Sequence, residues 1–592
     1  MDEAARQDDG IRGLGMIGDR RTAALLDREG AIVWYCPQRF DRPSLFAALL
    51  DAEGGAWRIH VPGARSARRR YLAASGIIET VFRAGGAEST VTDFMPAGQG
   101  APAGLLCRRF AAMPGGMRSV LQPRPDYARE PVRLVSRETT VLIQERWHLH
   151  ASHPLRVAGD TVHLDLPPGT DGWAVLSDLP LAPFGTAQVD AWLAATLAYW
   201  HALSAGDSRN GPYQREMADS LRALRLLTHE ASGGILAAAT TSLPEVPGGQ
   251  ANWDYRYVWL RDAGMIVSAL LRASGDLAEG ERYLGFICSS RGRSSHYPVP
   301  VFADLDSVRA PRKSSLMLAG YRGSRPVRVG NGARDQLQLD GFGNVLLAAK
   351  LIYQRSDARP HWDTVAAIAD FLSSHWHEPD HGIWEEPVTR QYTVGKVIAA
   401  CGLDSVAEFS PDRGQARRWR AAVQDIRAFV ASHCLTSEGA YAAYAGSEAV
   451  DVSAALFPVW AYCRPDTSEM LATMAALERD CSFRGELYWR HLECTDSGKE
   501  GAFLAATFWV AQYWVMRGAW DRVRRILDAG LAFANDLGLF AEEGDPRTGL
   551  MQGNFPQAFV HAAFIGVVTD LMTARANGMP PPQDMHRGSG CQ

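Results

Sequence analysis

A chain of 592 residues with 46% hydrophobic and 21% charged residues is too long for one ordinary domain and apolar enough to bury a large core. Its net charge of -5, without a dense Lys/Arg run, excludes a nucleic-acid-binding surface. The densest basic cluster, Arg65 to Arg70 (RSARRR), reads as a solvated strand edge.

The opening MDEAARQDDGIRG is acidic and polar, without the apolar run of a secretory signal. No window approaches the ~18 uninterrupted apolar residues of a membrane span. The cysteines (Cys36, Cys107, Cys288, Cys401, Cys434, Cys463, Cys481, Cys494 and Cys591) are odd in number and form no CxxC pair or Cys/His cluster. Neither a disulfide framework nor a zinc site is expected, and a reduced, cytoplasmic setting fits.

Residues 1–188 hold short apolar runs punctuated by Gly, Pro and Asp: Thr22–Leu26, Ala31–Tyr35, Ser89–Phe94, Leu105–Phe110, Thr140–His148 and Thr161–Leu166. Glu29-Gly30 is a turn signal, so Ala23–Tyr35 reads as a hairpin. Many such runs at short spacing predict an antiparallel β-sandwich. Its loop Pro37–Ser44 (PQRFDRPS) carries Arg39, Phe40 and Asp41, unusual at a plain hairpin exit, and is expected to reach the rim of a functional pocket. The segment Val189–Leu203 reads as a helix, and 189–212 as a helical linker.

From residue 213 to about 580 the apolar spacing becomes helical. Twelve helices are predicted, near 213–228, 261–274, 277–290, 340–354, 360–376, 392–408, 413–434, 450–462, 466–479, 500–516, 518–536 and 556–577. Gly382, Gly439, Pro458, Gly485, Gly518 and Pro546 separate most of them. Twelve helices suffice for six hairpins closing into an (α/α)6 barrel, although helix pairing alone also allows an irregular all-α domain. Residues 581–592 are expected to be a disordered tail.

Four segments concentrate Trp, Arg, Asp and Glu. Asn252–Asp262 (NWDYRYVWLRD) offers aromatic faces for sugar rings and Arg/Asp pairs for vicinal hydroxyls, but by composition it is equally a salt-bridged loop. In His381–Pro387 (HGIWEEP) a Trp flanks two glutamates; an indole excludes water and suits a general acid, while an exposed acidic turn would look the same. Leu539–Phe559 places Glu542 and Glu543 after an apolar run. Gly320–Asp340 (GYRGSRPVRVGNGARDQLQLD) suits a pocket-lining loop, and Arg322, Arg325 and Arg328 also allow anion binding. It lacks a phosphate-loop pattern. Two carboxylates in separate loops are the minimum equipment for glycosidic hydrolysis, and no competing nucleophile or metal signature is present.

In order along the chain, NWDYRYVWLRDAG, GYRGSRPVRVGN, QLQLD, GIWEE, EGAFL, GLFAEE and GNFPQAF resemble glycoside hydrolase family 15, the family of glucoamylases, glucodextranases and some bacterial trehalases. Gly18–Leu50 resembles the N-terminal β-sandwich of its bacterial and archaeal members. The resemblance implies an (α/α)6 barrel and an inverting mechanism without cofactor or metal, with Glu385 as general acid and Glu542 as general base. Inversion needs room for a water, so the carboxyl groups are expected roughly 6.5–9.5 Å apart. It further implies that Arg261 and Asp262 bind the non-reducing-end glucose, Tyr255 and Trp259 sit against it, and Trp384 walls the pocket. Glu386, Lys396, Glu500 and Glu543 are placed with the substrate-binding residues.

The chain departs from the family at Gly395–Ser405 (GKVIAACGLDS), which lacks a usual Trp and basic residue, and at Pro298–Leu316 (PVPVFADLDSVRAPRKSSL). Both bear on the leaving group. The expected activity is exo-hydrolysis of malto- or isomalto-oligosaccharides, with trehalose as the alternative substrate and a non-catalytic carbohydrate-binding protein as a further one. A phosphorylase would need a phosphate cradle in place of Glu542. The partner is a small α-glucoside, with no nucleic acid and no membrane; oligomeric state leaves no mark in the sequence.

Overall fold

The computed structural model describes residues 9–207, 211–294, 296–308, 310–491 and 500–578; the expected tail lies outside them. From Gly15 to Ser177 the chain forms two antiparallel sheets, of seven and eight strands. The expected hairpin is present: Ala23–Leu26 pairs with Ile32–Tyr35, with Ala24 opposite Tyr35. Thr140–His148 is not one strand. Gln144 and Glu145 adopt left-handed backbone, φ 51° and 53°, which folds Thr140–Ile143 back on Trp147–Ala151 as a tight hairpin. The helix α1 (Thr186–Leu203) buries Val189 against Phe94, Leu105 and Trp173 of the eight-stranded sheet.

The basic cluster lies on the edge strand Arg65–Tyr71, as expected, but Arg69 is not solvated. It reaches into the helical half, where its guanidinium bonds both oxygens of Asp536 (2.8 and 3.0 Å).

The helical half comprises α2 (Gln214–Leu226), α3 (Leu260–Ala273), α4 (Leu277–Ser289), α5 (Leu339–Tyr353), α6 (Trp362–His375), α7 (Thr393–Ala407), α8 (Arg413–His433), α9 (Ser468–Asp480), α10 (Leu504–Met516), α11 (Trp520–Leu531) and α12 (Ala558–Ala576). Helix α3 packs on α5, α5 on α7, a short 3-10 turn Val452–Leu456 on α10, α10 on α12, and α12 back on α3. Those elements form an inner ring. The helices α2, α4, α6, α8, α9 and α11 back it; α8 and α11 bury one face, whereas α2 is buried on all sides from Asp219 to Leu226. This is the double ring of an (α/α)6 barrel.

The helix expected near 450–462 is instead that 3-10 turn. Pro458 cannot donate within a helix, and the Asp451 carboxylate caps Ser453 N at 2.8 Å. Among the described residues α12 is the one helix long and apolar enough to cross a membrane, and it is an inner stave, buried along most of its length.

Candidate active site

The leading segments of the inner staves converge on a cavity of about 740 Å³. Its floor carries Trp259, Arg261 and Asp262 at the start of α3, and Phe559 at the start of α12. Residues Ile383–Pro387, before α7, and Phe503, before α10, form adjoining parts of its wall.

Strand Val258–Trp259 pairs with Phe302–Ala303 and runs directly into α3, so its direction fixes where the helix begins. The Trp259 ring stacks on Phe302 with centroids 4.6 Å apart, which aims its indole N–H across the cavity. That N–H donates to Glu385 Oε1 at 2.7 Å, and Arg261 donates to the same oxygen at 2.8 Å and to the carbonyl of Ile383. Glu385 has φ 62°, unusual for a residue with a Cβ, and Gln336 donates to its carbonyl at 3.2 Å. Left-handed backbone held by such contacts is how a fold turns one side chain toward a reaction centre. Asp262 is buried; burial, with the Glu385 and Asp340 carboxylates nearby, pushes it up to about 7 against the pull of Arg261.

Glu542 and Glu543 are placed by a small sheet in which Ala502–Phe503 pairs with Glu543–Gly544, and Glu543–Gly544 with Met551–Gln552. Gly553 follows with φ 76°. A Cβ there would lie 2.6 Å from Glu542 Oε2, so only glycine leaves room for that carboxylate. Tyr255 O–H donates to Glu542 Oε1 at 2.9 Å, while Oε2 has no hydrogen-bond partner among the described residues. Burial and the Glu245 charge push Glu542 up to about 8, with Arg490 and the Tyr255 hydrogen bond pulling the other way.

Both glutamates of the predicted pair therefore line one cavity, together with Tyr255, Trp259, Arg261, Asp262, Trp384, Glu386 and Glu500. Trp384 is a wall, but its indole donates to Asp451 at 2.5 Å, and its ring lies against Phe503 and Trp509. The indole that touches Glu385 belongs to Trp259. Glu386 sits 3.2 Å from His491 Nε2.

Two expected substrate contacts are behind the wall. Lys396 is buried with Nζ on the carbonyl of Glu378 (2.8 Å) and its charge beside Asp380, where it braces the His381–Pro387 turn from below. Glu543 is also fully buried, accepting from Gly501 N at 3.0 Å. In the first segment, Asp254 and Arg256 pair with each other at 2.8 and 2.9 Å beneath the cavity. Arg39, Phe40 and Asp41 do not line it either. Arg39 joins Asp41 (2.6 Å) to Asp306 (2.5 Å), and the loop acts one step away, through carbonyls that receive Arg256.

The sequence analysis missed Glu245, Trp253, Lys313, Arg490 and His491, which also line the cavity. Arg490 approaches Glu500 at 2.6 Å, Glu245 at 3.0 Å and Glu543 at 3.8 Å. Those three carboxylates have the spacing of a cation site, and a guanidinium supplies the cation. Trp253 lies 4.7 Å from the Arg328 guanidinium and 5.8 Å from the Nζ of Lys313, a cavity-lining residue from the divergent part of the chain. Arg322, Arg325 and Arg328 do not assemble an anion cradle in the cavity: none of them lines it, and Arg328 donates to the carbonyls of Gln250 and Asn252.

The sequence model of glycosyl hydrolases family 15 matches residues 211–527 and 522–569, and a second model, trehalase-like N-terminal, matches 4–161. A trehalase of Mycolicibacterium smegmatis is 30% identical over 95% of this chain and 91% of its own length. The trehalases of Mycobacterium tuberculosis (29% identical; 95% of this chain, 90% of that protein) and Thermoplasma volcanium (28%; 95% and 93%) are similar over the same extent. Among solved structures, a bacterial glucoamylase complexed with acarbose superposes with a TM-score of 0.70 at 12% identity, over 98% of this chain and 95% of that one. That likeness shows a shared architecture of β-sheet domain and helical barrel.

Proposed function

The chain belongs to the glycosyl hydrolases of family 15, and from that premise we propose that it is a trehalase, hydrolysing the α,α-1,1 bond with inversion through Glu385 as general acid and Glu542 as general base. The observation that carries the mechanism is that both glutamates, from loops far apart in the chain, line one cavity with the Trp259–Arg261–Asp262 floor. The substrate rests on near full-length similarity to proteins described as trehalases, together with a trehalase-like N-terminal half. The malto- or isomalto-oligosaccharide expectation therefore yields to its alternative.

Both protein donors to Glu385 fall on Oε1, leaving Oε2 to carry the proton to the glycosidic oxygen as the C1–O bond breaks. Glu542, held by the Tyr255 hydroxyl, takes a proton from the water that attacks C1 from the opposite face. The departing glucose gains the acid's proton, the new C1–OH comes from water, and the base holds the second proton. Arg261 and Asp262 are placed to orient the hydroxyls of the glucose under attack.

Following the anomeric protons by NMR during turnover of trehalose, maltose and isomaltose tests both parts. Inversion of trehalose releases one β-glucose, from the ring attacked, and one α-glucose, from the leaving ring. Two α-glucoses would refute inversion, and release from maltose or isomaltose but not trehalose would refute the substrate.

A further inference from the structure

Around Glu542 stand Glu245 from the 241–251 loop, Tyr255 from the segment before α3, Arg490 and Glu500 from the stretch before α10, and Glu543 beside it. Four of these five neighbours are acids or a phenol, and one is a cation. Arg490 Nη2 lies within 3.8 Å of three separate glutamates, each delivered by a different segment. Glu245 is also bonded by Trp253, which fixes it in the wall facing the base. Glu245 and Glu543 are buried, so solvent screens little of their repulsion on Glu542.

We propose that Arg490 is a positioning residue for the base: by bridging Glu245, Glu500 and Glu543 it neutralises the carboxylates that crowd Glu542 and so keeps that side chain able to accept a proton from water. The inference rests on Glu542 being the base, and it adds a function for Arg490 and Glu245, which no motif marks. Without the guanidinium, three glutamates would face a fourth across a dry wall. Such groups share protons rather than all ionise, and a protonated Glu542 cannot activate water. Burial and Glu245 already hold Glu542 high, and Arg490 is the strongest influence in the other direction.

The test is the pH profile of kcat/KM for the full-length protein, from about pH 5 to about pH 10, since its acid limb reports the base in the free enzyme. Removing the charge with Arg490→Met should move that limb upward by about one unit, an approximately tenfold larger loss on the acid side than on the alkaline side. Arg490→Lys, which keeps the charge, should leave the limb near its wild-type position. Glu245→Gln removes one repelling charge and should move the limb downward; it carries the test alone if Arg490→Met does not fold. A uniform loss at every pH in Arg490→Met, or a limb unmoved in Glu245→Gln, overturns the proposal. If the wild-type protein cleaves another α-glucoside rather than trehalose, the profile is taken on that substrate, and if Glu542→Gln is fully active the base assignment itself has failed.

Discussion

Glu385 and Glu542 sit in unlike surroundings, and their roles can be separated by leaving group and nucleophile. Each Gln variant should lower kcat on trehalose by a factor on the order of 10² or more. Glu385→Gln should recover much of its activity on α-glucosyl fluoride, whose departing fluoride needs little proton assistance, whereas Glu542→Gln should not. Equal loss on both substrates in both variants would remove the division of labour. The pair stood out in the sequence through the order of seven motifs along the chain, because locally Trp-Glu-Glu and an apolar run ending in Glu-Glu fit solvated acidic turns as well. Two of their neighbours were misassigned. Glu543 directly follows Glu542 and Lys396 lies on the helix after the Glu385 turn, yet strand and helix geometry turn them under the wall, Lys396 toward Asp380 and Glu543 toward Gly501. Arg490 and Glu245 went unseen because their bond joins residues 245 positions apart, a relation with no local signature.

At the scale of elements, the Asn252–Asp262 segment is held from both ends. Trp259 enters α3, and Arg256 is tied to Asp254, to Tyr127 O–H (2.9 Å) and to the carbonyl of Arg42 (3.2 Å) in the sheet domain. Composition alone read its arginines and aspartates as sugar ligands or as a salt-bridged loop. The segment divides between them: Arg261 and Asp262 face the cavity, while Asp254 and Arg256 form a salt bridge with each other. Arg256→Met leaves Asp254 buried without its counter-charge, a loss of roughly 3–5 kcal/mol for a broken buried pair. The melting temperature should fall, and KM should rise because Tyr255, Trp259 and Arg261 ride on the loosened segment. An unchanged melting temperature with unchanged KM would show that the bridge positions nothing. Most helices were legible because apolar periodicity and Gly/Pro breaks are local properties. The turn at Val452–Leu456 was not, since its burial makes it apolar without making it helical.

Across the whole molecule, the sheet domain and the barrel share one buried boundary rather than a tether. Arg69 bonds Asp536, Arg20 bonds Glu279 at 3.1 Å, and Trp34 donates to the carbonyl of Ala239 at 3.0 Å. A barrel so enclosed holds acids away from water, and this sets stability against activity. Glu542 titrates near 4.5 when unfolded and is pushed up to about 8 when folded. A group whose folded value is raised contributes stability that is fully present below the unfolded value and is lost as pH rises through the folded one. Catalysis needs the opposite, an ionised base, so kcat/KM should fall as pH drops below about 8 while the contribution of Glu542 to stability grows. Other buried groups confuse a simple melting curve: His561, pushed down to about 3, opposes this trend at acid pH, and Lys396, lowered to about 8, opposes it at alkaline pH. Comparing wild type with Glu542→Gln removes them, because both proteins carry them equally. The variant's advantage in melting temperature should widen from about pH 5 to about pH 8, where the unfolded chain ionises Glu542 and the folded one does not, and level off above it. A constant difference across that window would mean that Glu542 ionises at an ordinary carboxylate pH, and the acid limb of activity would then have to lie near 4.5 as well.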